Sequence, residues 1–273
     1  MTLPAPAADR TCLVTGASSG IGVELARLLA ARGHGVTLLA RREDRLRELA
    51  EELASEHGVR AEVLAVDLAD ESSRSAIAGT LAERGLDVDV LVNNAGFSTM
   101  GPVATSDPGR ELAMVRTDVE AVVHLCSVFV PAMVHRGRGA VLNVASTAAF
   151  QPLPGQAGYG GSKAFVLSYT RALAEELRGS GVTATALCPG PVETEFAHAA
   201  GLDEQQAGDS LPRFMWVPAV EVARAAVDGM DRGRDVVIPG VANRVGAGFA
   251  QVAPRRLLLP ILARRHPALH PRD

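Results

Sequence analysis

The sequence predicts an α/β fold in which a seven-stranded, mostly parallel sheet is doubly wound, with helices on both faces. Short apolar runs rich in β-branched residues alternate with longer stretches of helical periodicity, which is typical of a parallel sheet buried on both sides. Hydrophobic residues make up 47% of the 273 residues and charged residues 21%, so a full core can form. No linker, repeat or low-complexity segment interrupts the alternation, and we expect residues 1–273 to form a single domain.

The strands and helices alternate along the chain. Strands are predicted at Thr11 to Thr15, Val36 to Ala40, Ala61 to Val66, Val88 to Val92, Ala140 to Ala145, Thr183 to Leu187 and Val236 to Ile238. Helices are predicted at Gly20 to Ala31, Arg42 to Glu56, Glu71 to Arg84, Arg110 to Arg136, Gly158 to Gly179 and Ala219 to Arg232. Right-handed crossovers then place the carboxyl ends of the strands along one edge, where ligands bind in such sheets.

Charge and cysteine usage argue against several classes of protein. The net charge of −4 gives no reason to expect a nucleic-acid-binding face. Cys12, Cys126 and Cys188 are far apart and lack the spacing of metal ligands, so we interpret them as free core thiols in a reducing compartment. Residues 1–10 lack the pattern of a secretory signal, and no segment has the roughly 18 uncharged apolar residues of a spanning helix. We therefore expect a cytoplasmic protein that needs no metal.

A glycine-rich turn directly follows the first strand and precedes a helix. It reads T-G-A-S-S-G-I-G, from Thr15 to Gly22. Gly16 can form the tight turn, Gly20 lets the backbone approach a pyrophosphate, and Gly22 lets the helix pack on the strand, with its N-terminus toward the phosphates. The alternative is an ordinary glycine turn, but the strand and helix on either side favour a dinucleotide site. The residues predicted to form it are Gly16, Ser18, Ser19, Gly20, Ile21 and Gly22.

The second strand ends without the acidic residue that commonly binds the ribose 2′-hydroxyl of NAD. The sequence at this point is Ala40-Arg41-Arg42. Guanidinium groups suit a 2′-phosphate, so this pair favours NADP(H) over NAD(H), with Arg41 the more important residue. The alternative for Arg42 is that it merely begins a helix whose R-R-E-D-R run forms ion pairs.

Three polar side chains are predicted to converge at the fifth strand. Ser146 ends that strand, and the run Y-G-G-S-K from Tyr159 to Lys163 follows. Positions i and i+4 share a helix face, so Tyr159 and Lys163 project together toward Ser146. A phenol with a pKa near ~10 exchanges protons at neutral pH only if a nearby cation favours phenolate. Lys163 is the single lysine among 27 basic residues, and we predict that it is this cation.

From Thr15 to about Pro239, the glycine spacing and the Ser146, Tyr159 and Lys163 set resemble the short-chain dehydrogenase/reductase family. The resemblance implies a Rossmann-like fold and NAD(P)(H)-dependent interconversion of a carbonyl and an alcohol. Tyr159 would be the acid in reduction and the base in oxidation, while Ser146 holds the substrate oxygen. Further cofactor contacts implied by the resemblance, besides Tyr159 and Lys163, are Asp67, Leu68, Asn94, Ala95, Gly96, Pro189, Gly190, Val192 and Thr194.

Some of these positions have simpler interpretations, and two depart from the family pattern. Asp67 could cap the next helix, and N-N-A-G, which ends at Gly96, could be an ordinary turn. Asp118 stands where the family has a fourth catalytic residue, an asparagine; its charge favours protonated Lys163, and we expect a slower proton relay. Ser19 stands where NADP(H)-preferring members often carry a basic residue. The leading prediction is an NADP(H)-dependent oxidoreductase. The alternative functions are an NAD(H)-dependent dehydrogenase of the same family and a low-turnover NADP(H)-sensing protein.

The segment at about 192–217 is expected to form a substrate lid, and residues 242–273 a C-terminal tail. We expect the leucines of the tail to pack on the body or on a partner subunit rather than on a membrane, and Pro260 to break any long amphipathic helix. The family resemblance implies a homodimer or homotetramer formed through the long helices beside the Ser146 strand. Apolar residues near the expected nicotinamide site and in the lid favour a lipophilic substrate. Alternatively, they could simply pack the lid on the core. These residues are Phe97, Met100, Phe150, Phe196, Phe214, Met215 and Trp216.

Overall fold

The computed structural model describes residues 3–196, 212–265 and 269. Seven strands form one sheet in the order β3-β2-β1-β4-β5-β6-β7, and every neighbouring pair is parallel. The predicted doubly wound fold is confirmed, with a wholly parallel sheet in the described chain. The strands are β1 (Arg10–Thr15), β2 (Val36–Ala40), β3 (Ala61–Ala65), β4 (Asp87–Asn93), β5 (Gly139–Val144), β6 (Val182–Leu187) and β7 (Val236–Val237).

Helices lie on both faces of the sheet and continue beyond its last strand. The helices are α1 (Gly20–Ala31), α2 (Glu43–His57), α3 (Glu71–Ser75), α4 (Ile77–Glu83), α5 (Pro108–Val115), α6 (Ala121–Arg136), α7 (Ala157–Glu176), α8 (Ala219–Asp231), α9 (Val241–Val252) and α10 (Arg255–Arg265). A π-helical turn, Arg116–Glu120, joins α5 to α6, and short 3-10 turns occur at Val103–Thr105, Thr147–Phe150 and Arg213–Met215. The part of the expected lid from 197 to 211 lies outside the described residues, as does most of the tail beyond 265.

Alternating side chains of the strands build two cores. Leu13 of β1 packs with α4, α6 and α7 on one face of the sheet, whereas its neighbour Val14 packs with α1, α2 and α8 on the other. Both side chains are fully buried. Because both faces are covered, apolar residues occupy successive positions of the strand rather than alternate ones. This explains why the strands are continuous apolar runs in the sequence.

The structure divides the predicted helix from Glu71 to Arg84 into α3 and α4. Ala76 ends the first helix and caps the second. The break follows Arg74, whose side chain is 2% exposed and donates a 2.6 Å hydrogen bond to the Leu68 carbonyl. Arg74 also pairs with Glu120. Burial of this guanidinium therefore ties α3 to the loop after β3, which helical periodicity alone does not reveal.

The expectation that Pro260 breaks the tail helix is wrong, because α10 continues through it. A proline inside a helix removes one hydrogen bond, here the bond that residue 260 would donate to the Arg256 carbonyl. Arg256 is exposed, and water can satisfy that carbonyl. The helix is 11 residues long, and the proline removes only one of its backbone hydrogen bonds.

The helix from Pro108 to Arg136 is long and apolar enough to cross a membrane by length and composition, with a mean hydropathy of 1.5. In the fold, its inner face belongs to the core: Leu125 is 1% exposed and Met133 is fully buried. Exposed apolar residues lie on its outer face, including Leu112 at 55% and Val128 at 38%. Helices in the core of a soluble protein can have the same length and composition, so these two properties are weak support for a membrane span.

Candidate active site

A cleft of about 1240 Å³ runs along the edge of the sheet where the strands end at their carboxyl termini. Its wall contains nearly all of the predicted site residues. These are Gly16, Ser18, Ser19, Gly20, Ile21, Arg41, Arg42, Asp67, Leu68, Asn94, Ala95, Gly96, Ser146, Tyr159, Lys163, Pro189, Gly190, Val192 and Thr194. Gly22 and Asp118 do not line the cleft and lie beneath its surface. The fold therefore brings together residues that are separated by up to about 180 positions in the chain.

The glycine loop is shaped for close backbone approach. Gly16 and Gly20 have positive φ angles of 66° and 57°. A Cβ atom at Gly22 would lie 2.3 Å from the Gly16 carbonyl oxygen, so only glycine lets α1 begin so close to the turn. A Cβ atom at Gly20 would lie 2.9 Å from Thr194 Cγ2, which shows how near the segment after β6 comes to this loop. The loop and the start of α1 fit a pyrophosphate by shape and dipole.

The N-N-A-G run connects β4 to the glycine loop and to the centre of the sheet. The backbone N–H groups of Asn94 and Ala95 donate to Thr15 Oγ1 at 2.9 and 3.0 Å. Asn94 Nδ2 donates to the Thr15 carbonyl at 2.9 Å. Asn93 Nδ2 donates to Asn143 Oδ1 of β5 at 2.8 Å. These bonds hold the cleft floor together and go beyond an ordinary turn.

Asp67 does not cap the next helix. Asp70 does so, with its side chain accepting a 2.8 Å hydrogen bond from the Ser73 N–H. Asp67 instead accepts a 2.9 Å bond from the Ala69 N–H and faces the cleft. Its carboxylate is therefore available at the cleft wall rather than used as a helix cap.

Arginine side chains gather at the end of β2, but their partners were not predicted. Arg42 donates to Ser18 Oγ at 3.0 Å and to Ser19 Oγ at 2.8 Å, and it pairs with Glu195 at 2.6 Å. Arg45, one turn into α2, pairs with the other carboxylate oxygen of Glu195 at 2.7 Å. Arg42 also precedes α2 directly, as the simpler interpretation of this residue expected. It thus both begins the helix and contacts the phosphate-binding loop.

Arg41 and Arg45 complete this basic end of the cleft. Arg41 is exposed and lines the cleft. Arg45 and Glu195 were not predicted from the sequence as residues of this site. Arg45 lies in the first turn of α2, three to four positions after Arg41 and Arg42, which precede the helix; this short spacing is a signal that the sequence could have supplied. Glu195 has no such signal, because it reaches Arg42 across 153 positions of the chain.

The three predicted catalytic side chains meet at the other end of the cleft. Ser146 follows β5, and its hydroxyl accepts a 3.1 Å bond from the Ala148 N–H. Lys163 Nζ lies 5.6 Å from the centre of the Tyr159 ring and donates to the Val144 carbonyl at 3.2 Å. Tyr159 and Lys163 are 8% and 4% exposed. One turn of α7 thus presents a phenol and an ammonium to the end of β5.

Asp118 lies directly behind this group. It sits in the π-helical turn between α5 and α6 and is fully buried. Its Oδ2 atom is 2.9 Å from Lys163 Nζ, and its Oδ1 atom accepts a 3.0 Å bond from the Phe97 N–H. A Cβ atom at Gly96 would lie 3.0 to 3.1 Å from both Asp118 oxygens and from Lys163 Nζ. Lys163 lines the cleft and Asp118 lies beneath it, so Asp118 contacts the reacting groups only through Lys163.

Burial and charge set the protonation of these groups. Burial raises the pKa of Tyr159; Lys163 and the Ser146 hydroxyl lower it, and Asp118 raises it again. Burial opposes the charged form of Lys163, but Asp118 and Tyr159 together raise the pKa of this ammonium group. Burial likewise raises the pKa of Asp118, with Lys163 opposing the change. Lys163 lowers the pKa of Tyr159, as expected, but burial has the larger effect, so this pKa is raised above its usual value.

The substrate end of the cleft is mostly apolar. Phe97, Met100, Phe196, Met215 and Trp216 line it, as expected. Phe150 does not: it is 5% exposed and packs in the core beside α6 and α7. Phe214 is 75% exposed and also lies outside the wall. The direction of each side chain depends on the turn that carries it, and sequence position does not reveal this direction.

Polar groups at the substrate end were not predicted from the sequence. Gln156 lines the cleft and its Nε2 atom donates to Ser98 Oγ at 2.6 Å. Asn243 of α9 donates to the Met215 carbonyl at 2.9 Å and so ties the 3-10 turn of the lid region to the tail helix. Among residues 3–196, 212–265 and 269, no group of three or more His, Cys, Asp or Glu side chains is arranged to hold a metal ion.

Comparison with known proteins defines the class of this chain. Residues 10–205 match the short chain dehydrogenase family, so the chain belongs to this family. It is an NAD(P)(H)-dependent oxidoreductase of the short-chain type that acts on alcohol and carbonyl groups.

Individual relatives show how broad the class is. Sulfoacetaldehyde reductase 2 of Chromohalobacter salexigens is 38% identical over 203 residues, which cover 74% of this chain and 80% of the relative. A short-chain dehydrogenase from Sphingobium yanoikuyae, solved in complex with NADPH, has 34% identity and a TM-score of 0.79, covering 92% of this chain and 95% of that one. A short-chain dehydrogenase/reductase from Burkholderia phymatum, solved with NAD, has 25% identity and a TM-score of 0.78, covering 88% and 92%.

Proposed function

We propose that the protein is an NADP(H)-dependent reductase or dehydrogenase that interconverts a lipophilic ketone or aldehyde and the corresponding alcohol. The arginine cluster at the end of β2 carries the cofactor choice. Arg41, Arg42 and Arg45 lie at the adenosine end of the cleft, and β2 ends without a carboxylate for the ribose. A 2′-phosphate would gain charge-assisted hydrogen bonds there. The relative solved with NADPH supports the same choice.

One observation favours NAD(H) as the second candidate. Glu195 already pairs with Arg42 and Arg45, so two of the three guanidiniums have a carboxylate partner. Ser19, rather than a basic residue, bonds to Arg42 at the glycine loop. The NAD complex of the Burkholderia phymatum relative is consistent with this alternative. Arg41 lines the cleft and has no ion pair with any residue that the structure describes, so it is available for a 2′-phosphate, which is why we place NADP(H) first.

The chain's own residues supply the proton chemistry. When bound, the nicotinamide would give a hydride to the carbonyl carbon or take one from the alcohol carbon. Ser146 would hold the substrate oxygen, and Tyr159 would protonate it in reduction or remove its proton in oxidation. Lys163 stabilises the phenolate by charge, because it is held near the ring by the Val144 carbonyl and Asp118. The apolar walls formed by Met100 and Trp216 would exclude water from this step.

The proposal also includes the location, the substrate class and the oligomeric state of the protein. A cytoplasmic, reducing location agrees with Cys12, Cys126 and Cys188, which are all buried and free. A small carbonyl or alcohol compound is the proposed substrate, and the chain is proposed to act as a homo-oligomer.

The first experiment is a fluorescence titration of the purified protein with NADPH and with NADH. The Arg41→Asp variant is run beside the wild type, and Arg47→Asp serves as the control, since Arg47 pairs with Glu43 on α2 outside the cleft. We expect tighter binding of NADPH than of NADH in the wild type and in the control. In Arg41→Asp, NADPH binding should weaken by roughly 10-fold or more. Equal binding of both cofactors would instead favour the NAD(H) alternative.

A further inference from the structure

The outer face of α9 is apolar and exposed. Val241, Val245, Phe249 and Val252 recur at helical intervals and form one stripe along the helix. Their exposures are 68%, 68%, 62% and 81%. The opposite face of the helix is buried, with Ala247 only 3% exposed. Helix α9 therefore has two apolar faces, one toward the cleft and one toward the surroundings, and an exposed stripe of this size indicates an interaction site.

The stripe lies in a strongly basic part of the chain. Residues 241–273 contain six arginines and a single acidic residue, Asp273, whereas residues 1–240 carry an excess of nine negative charges. In the described part of this segment, Arg244 borders the stripe on α9, and Arg256 and Arg264 are exposed on α10. No acidic residue occurs between Val241 and Arg265. An acidic protein thus concentrates positive charge in the C-terminal segment that carries its exposed apolar helix face.

We propose that the apolar stripe of α9, together with Arg244, Arg256 and Arg264, forms a docking surface for an anionic phospholipid membrane. We call this set of residues the α9 surface. A helix that lies in the membrane interface needs apolar side chains to enter the acyl boundary and cationic side chains to meet the headgroups. The α9 surface supplies both. The charge complementarity identifies a lipid surface with negative headgroups as the partner.

A second copy of this chain is a poorer partner for the α9 surface. In a two-fold contact across the α9 surface, each copy would contribute the same three arginines and no acidic residue from 241–265, so like charges would accumulate in one interface and oppose association. The long helices offer another apolar surface for subunit contacts, which includes Leu112 at 55% and Phe165 at 43% exposure. Subunit packing therefore does not require the α9 stripe.

Membrane docking would also orient the cleft. Gly246, Ala247 and Ala250 of α9 line its substrate end. Binding through the outer face would hold this end of the cleft at the lipid surface, where a lipophilic compound is concentrated. The docking proposal itself rests on the exposure and charge of the tail and does not depend on the cofactor or the substrate.

Vesicle flotation of the full-length protein tests the proposal. The probes are vesicles of phosphatidylcholine alone and of phosphatidylcholine mixed with phosphatidylglycerol. We expect flotation with the mixed vesicles only, decreasing as salt is added. Phe249→Asp should abolish flotation, and Arg256→Glu should weaken it by roughly 10- to 30-fold at low salt.

The matched control is Val103→Asp, which places the same charge at an exposed valine outside the α9 surface. It should float like the wild type. Circular dichroism and thermal unfolding check that each variant is folded, and size-exclusion chromatography with light scattering gives its mass. Absence of flotation, or equal flotation with both vesicles, would overturn the proposal. A loss of oligomer mass in Phe249→Asp without any flotation of the wild type would assign the surface to subunit contacts and overturn it as well.

Discussion

Asp118 is a positioning residue whose charge acts on Tyr159. It holds Lys163 at 2.9 Å, but its negative charge also raises the pKa of the Tyr159 hydroxyl. In Asp118→Asn, the side-chain oxygen can still accept the hydrogen bond from the Phe97 N–H, but the negative charge is removed. Lys163 can still donate its hydrogen bond to the Val144 carbonyl. The pKa of Tyr159 should therefore fall.

We expect the pH of half-maximal alcohol oxidation to fall by on the order of one unit in Asp118→Asn, with faster oxidation at neutral pH. The measurement is a pH profile of kcat and of kcat/KM. Phenolate is the base, so a lower pKa makes it available at lower pH. An unchanged profile and turnover would show that the charge of Asp118 plays no part in the proton relay.

Glu195 pairs with two arginines for which the 2′-phosphate of the proposed NADPH would compete. The pairs with Arg42 and Arg45 lower the pKa of Glu195, so the carboxylate is charged at neutral pH. Each exposed ion pair contributes about 0.2–1 kcal/mol. Glu195→Gln should therefore raise the affinity for NADPH by roughly 2- to 10-fold and leave that for NADH nearly unchanged. Titration with both cofactors measures this, with Glu43→Gln as a control outside the cleft. An equal gain for both cofactors would contradict the competition.

The junction between β1 and α1 depends on the absence of a side chain at Gly22. A methyl group there would lie 2.3 Å from the Gly16 carbonyl oxygen and would push α1 away from the turn. We expect Gly22→Ala to lower the free energy of unfolding by about 1–3 kcal/mol and to weaken cofactor binding. Urea unfolding and cofactor titration measure the two effects.

The matched control for this junction is Gly79→Ala on α4. Apart from the backbone of its own helix, no atom of the described residues lies within 4 Å of a Cβ at Gly79, so this alanine should be neutral or slightly stabilising. Normal cofactor affinity in Gly22→Ala would mean that α1 can shift without disturbing the site.

The long helices offer the molecule a surface for self-association. Phe165 of α7 is 43% exposed and stacks on Tyr169 with ring centres 5.8 Å apart, and Leu112 of α5 is 55% exposed. We expect the wild type to be a dimer or tetramer and Phe165→Glu to have a lower mass, because a charge on this apolar face must be desolvated in the contact. Light scattering after size exclusion measures the mass, with Val103→Glu as the control. A wild-type monomer would contradict this expectation.

The sequence by itself determined the sheet, the glycine loop and the Ser146, Tyr159 and Lys163 set. These features depend on local spacing: strand and helix periods are fixed by backbone geometry, and residues four apart on α7 share a face whatever surrounds them. The fold class and the position of the cleft then follow from right-handed crossovers.

Only the tertiary structure decided which distant side chains meet and which face of an element is covered. The pairing of Glu195 with Arg42, the burial of Phe150 and the exposure of the outer face of α9 are of this kind. The physical reason is that the direction and partners of a side chain depend on the packing of segments far apart in the chain, which local periodicity does not encode.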